Sequence, residues 1–174
     1  AYEIRPRDWS SDVCSSDLLI ETSSPETLLA LLPRAPLAGR VSVLLALDRV
    51  ASDRLPAHEV FQAIRTLDLP QRDVVVGLAL RHPQWGEEAS AYLTESLAPE
   101  SRAARRPVVA KVLAGFIRSP MVRGWLVAHG TAAMDAWGAE TVLSAIAATA
   151  DVWDDAWRAW ITAALRGGDP AVAE

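Results

Sequence analysis

The chain has 174 residues, with 17 Lys+Arg against 22 Asp+Glu and a formal net charge of −5. That acidic balance, with Arg102, Arg105 and Arg106 as the only local basic cluster, argues against general binding to nucleic-acid phosphates, which needs a concentrated basic surface. The densest apolar run, residues 74–80, is far shorter than the roughly 18 residues of a membrane span, and the length suits one domain, or one piece of a longer chain, with a real core.

Residues 1–18 (AYEIRPRDWSSDVCSSDL) show neither a helical nor a strand period, and no apolar stretch follows their basic residues as in a signal peptide. They resemble a translated sequencing adapter. In one reading frame the constant arms of an indexing primer encode Ala1 to Glu3 and Asp8 to Leu18, and a variable barcode covers Ile4 to Arg7. The resemblance implies that Cys14 and the Ser/Asp string carry no chemistry. It also implies that residues 1–18 are disordered, and that the native sequence upstream of Leu19 has been lost. The expected domain is then residues 19–168, with a tail at 169–174. It has no cysteine, which points to a cytoplasmic home without disulfides, thiolate metal sites or thiol catalysis. Its single lysine, Lys111, among many arginines suggests a GC-rich bacterial source.

From there the elements follow in order. Ser24-Pro25-Glu26 supplies an N-cap, an N1 proline and an early acid, predicting a helix over residues 25–32 with Leu28, Leu29, Leu31 and Leu32. A second is predicted over 37–51, with Leu37, Val41, Leu44, Leu45 and Asp48 on one line. Pro56 opens a third, with Val60, Phe61, Ile64 and Leu67 inward. A fourth covers about 71–81. Its centre, 74–80, is apolar on all sides and would be a buried strand or, with no second strand to pair with, a central buried helix. Pro83 starts a fifth, with Ala89, Tyr92, Leu93 and Leu97 in register. The sixth has the cleanest stripe, Val108, Val109, Val112, Leu113, Phe116 and Ile117. Ser119-Pro120 caps a seventh, with Met121, Val122, Trp125 and Leu126 facing in. An eighth spans about 139–150, with Val142, Leu143 and Ile146. Asp151 caps a ninth that ends at Gly167-Gly168.

Eight or nine short helices with short connections predict an all-α multi-helix array. It would be either a closed orthogonal bundle or a superhelix of stacked pairs. The latter loosely resembles HEAT and armadillo α-solenoids, although the helix starts at Pro56, Pro83, Pro120 and Asp151 are unevenly spaced and carry no residue-level repeat.

Candidate chemistry is sparse. His58, His82 and His129 each lie near a helix terminus without a second ligand at metal spacing, which predicts surface or capping roles. Asp151, Asp154 and Asp155 form a D-x-x-D-D cluster. It partly resembles, in reversed order, the magnesium-binding D-D-x-x-D helices of isoprenoid synthases. Carboxylates in a first turn also complement the helix dipole without any metal. Trp153, Trp157 and Trp160 share a helix face, and with Trp85, Trp125 and Trp137 they read mainly as core aromatics. Trp153 and Trp160, at the stripe's edges, could also serve an interface. No phosphate-binding glycine loop or nucleophile elbow occurs.

The expected function is a helical scaffold or protein-interaction domain of a larger bacterial protein, without catalysis or cofactor. Its partner would be another protein or the missing upstream domain, not nucleic acid or membrane. The expected contact surface is Leu28, Leu29 and Leu32, left uncovered by the lost upstream helix, with Trp153 and Trp160. The alternative is an enzyme with a helical cavity using Asp151, Asp154 and Asp155 with magnesium.

Overall fold

The computed structural model describes residues 23–98 and 102–147, with Arg158 and Thr162. Among these residues every regular element is helical. In chain order they are α1 (Pro25–Leu31), a 3-10 turn (Leu32–Arg34), α2 (Leu37–Ala51), a second 3-10 turn (Ser52–Arg54), α3 (Ala57–Thr66), α4 (Leu69–Leu80), α5 (Gly86–Ser96), α6 (Arg102–Phe116), α7 (Pro120–Trp137) and α8 (Ala139–Ala147). The protein is thus an all-α multi-helix array. Among the described residues no helix is long and apolar enough to cross a membrane.

The chain divides into two compact units between Val75 and Val76, within α4. In the first unit α1 starts as its sequence demands. Ser24 is extended at φ −68° and its hydroxyl accepts from the Thr27 amide at 3.3 Å, with Pro25 in the first turn. That satisfies one of the amides a helix start leaves over. α2 packs on α1 and α3. The core is aliphatic around one aromatic, Phe61, with Leu28, Leu32, Val41, Leu44, Leu47, Val60, Ile64 and Leu67 buried.

In the second unit α5 packs on α6 and α7, α6 on α7 and α8, and α7 on α8. All six residues of the predicted α6 stripe, Val108, Val109, Val112, Leu113, Phe116 and Ile117, are buried. Gly86 and Gly115 mark close approaches. A Cβ on Gly86 would overlap the Ser119 hydroxyl and lie 2.8 Å from the Ser119 Cβ; on Gly115 it would lie 3.2 Å from the Leu80 Cγ. Gly138, at φ 85°, ends α7 in a conformation that L side chains rarely adopt, and its amide donates to the Met134 carbonyl at 2.8 Å.

Several sequence expectations are corrected. α4 is a helix, but not one buried all round: Val75, Val76, Leu78 and Ala79 are buried, whereas Val74, Gly77 and Leu80 are exposed. α5 begins at Gly86, not Pro83, because residues 83–85 turn the chain and the Trp85 amide donates to the His82 carbonyl at 3.1 Å. On α2, Leu37 is exposed and Leu45 and Asp48 are half-buried; Val43, Ala46 and Leu47 share the core with Val41 and Leu44 instead. Leu97 and Leu143 are half-buried, and Met121 faces solvent.

Candidate interaction surface

The expected contact surface on α1 is corrected first. Leu28 and Leu32 are core, 0% and 2% exposed, and Leu29 is half-buried; of the four leucines only Leu31 is exposed. The physical reason is the packing of α1 on α2, which takes the i, i+4 pair Leu28 and Leu32 inward. Trp153, Trp160, Asp151, Asp154 and Asp155 lie outside the described residues, as do residues 1–18 and the tail 169–174.

α7 is the helix whose two sides are both apolar. Its inward side carries Val122, Trp125, Leu126, Ala133 and Trp137, all buried. Its outward side carries Met121, Gly124, Val127, Ala128 and Ala132, all exposed. At about 100° per residue these five span an arc of roughly 140°. Met121 and Val127 are the most exposed large hydrophobic residues among those described, at 54% and 51%. The one charged side chain within the arc is Asp135. Exposed apolar residues scattered singly need no explanation, and on α4 the exposed Val74, Gly77 and Leu80 are interleaved with Gln71, Asp73 and Arg81. On the α7 face the charged interruption is Asp135 alone. A helix apolar all round is normally covered all round.

The inward side is fixed by directional bonds as well as packing. The Trp125 indole N–H donates to the Thr94 hydroxyl at 2.7 Å, and the Trp137 indole N–H donates to the Ser96 carbonyl at 3.2 Å. The two indoles stack at 5.6 Å with 18° between planes, and the His129 ring tilts onto Trp125 at 5.5 Å. Ser96 is itself buried and donates to the Tyr92 carbonyl at 2.8 Å. Both indole donors therefore end on α5, which sets the rotation of α7 and so decides which of its faces meets solvent.

The histidines divide. His58 is exposed, 3.5 Å from the Glu59 carboxylate, and His129 is exposed beside Trp125. His82 departs from the surface expectation. It is 4% exposed in the turn after α4, stacked on Trp85 at 4.1 Å and 10°, with its Nδ1 3.3 Å from the Gln84 amide nitrogen. Among the described residues no group of three or more His, Cys, Asp or Glu is placed to hold a metal ion. The expectation of core aromatics holds for Trp85, Trp125 and Trp137.

An open groove of about 600 Å³ lies between α6 and α8. Ala110, Ala114 and Ala145 line it with Lys111, Glu140, Thr141 and Ser144. It brings the only lysine of the chain close to a carboxylate and two hydroxyls, a grouping that residues 30 positions apart in sequence did not announce. An acid–base perturbation lies elsewhere. The Arg54 guanidinium, bonded to the Glu26 carboxylate, holds that carboxyl below the usual range.

The described residues thus include an apolar outward face on α7 and an open groove between α6 and α8. Comparisons with protein-family models, with curated proteins and with solved structures found no match.

Proposed function

We propose that the chain is a helical scaffold, a protein-interaction module without catalysis of its own, and that it engages its partner through the outward face of α7. The observation that carries this reading is the apolar arc of Met121, Gly124, Val127, Ala128 and Ala132, interrupted by Asp135 and held outward by the Trp125 and Trp137 bonds. Burying such a face removes apolar area from water at about 25 cal/mol per Å², and methionine, here Met121, is among the residues enriched at interfaces. The HEAT-like form of the proposal draws support from the contacts of the second unit. If α5–α6 and α7–α8 are taken as pairs, first members touch (α5 on α7) and second members touch (α6 on α8). That is how stacked helix pairs bury a shared core. A cytoplasmic setting goes with the reading, supported by a chain with one cysteine.

The test is site-specific photo-crosslinking in cells that make the protein, with the photoreactive residue at Val127 or, as control, at the exposed Glu87 of α5. A discrete, reproducible adduct from Val127 and none from Glu87 is expected. Equal adducts from both positions, or none from Val127, would refute the assignment of this face.

A further inference from the structure

We draw no further inference here: the strongest candidate, the open groove between α6 and α8 lined by Ala110, Ala114 and Ala145, carries nothing, because the Lys111, Glu140 and Ser144 beside them are exposed and nothing in the structure shows what covers it.

Discussion

The two units bury comparable helices by different means. Among the described residues of the first unit no polar or charged residue is fully buried, and its side-chain bonds are part-buried or exposed. Arg40 donates to the Ala35 and Pro33 carbonyls, Arg72 to the Leu67 carbonyl, and Arg54 pairs with Glu26. The second unit buries His82 and Ser96 among aromatics and sends two indole N–H groups across from α7 to α5. Aliphatic packing is non-directional and accepts repacking. Directional bonds specify one rotation of a helix. The unit that presents an apolar face to solvent is the one that fixes which face that is.

The largest expected effect that could break this contrast is Trp137→Ala, at about 3–5 kcal/mol by urea unfolding, from lost burial plus cavity. Trp137→Phe keeps an aromatic ring but removes the indole donor together with part of the buried volume. It should still cost about 1–3 kcal/mol by leaving the Ser96 carbonyl unpaired in the core, and no cost would mean that packing alone positions α7. Next is Gly138→Ala, expected to lose about 1–3 kcal/mol because the α7 terminus requires φ 85°. Thr94→Val removes the acceptor of the Trp125 indole, and a loss of about 1 kcal/mol is expected in the same assay. The smallest effect belongs to the first unit. Glu26 has its folded-state pKa lowered by Arg54, so the stability it contributes is present above the ordinary glutamate pKa and is lost as pH falls through the lowered value. Glu26→Gln should flatten the fall in melting temperature between roughly pH 5 and pH 3 and change little at neutral pH. An unchanged acid limb would show that the exposed pair contributes nothing.

Periodic contrast decided what the sequence made legible. The α6 stripe recurs at i, i+1, i+4 and i+5, separated by the small or charged Ala110, Lys111, Ala114 and Gly115, and all six residues are core. Val60, Phe61, Ile64 and Leu67 read equally well, and Ser24-Pro25 marked the α1 start because capping is local chemistry. α7 has no such contrast. Apolar residues on both sides leave its rotation unspecified, so the sequence pattern puts Met121 inward, and the tryptophan bonds to α5 turn it outward. The signal available was charge: Arg123 and Asp135 are the only Lys, Arg, Asp or Glu in Pro120–Trp137, too few for a helix covered on one side. His82 was unreadable for a related reason, since its burial depends on stacking against Trp85 across a turn. Leu28 and Leu32 carry no local mark of what covers them; α2 supplies contacts to α1 from downstream.

The central claim is that the outward face of α7 is apolar without serving the chain's own fold. The most direct measurement is the urea-unfolding free energy of Val127→Glu against wild type, at a concentration low enough to keep both monomeric. The account predicts agreement within about 0.5 kcal/mol, as for a surface substitution with no structural partner. A loss of about 2 kcal/mol or more would place Val127 in the packed core and contradict it.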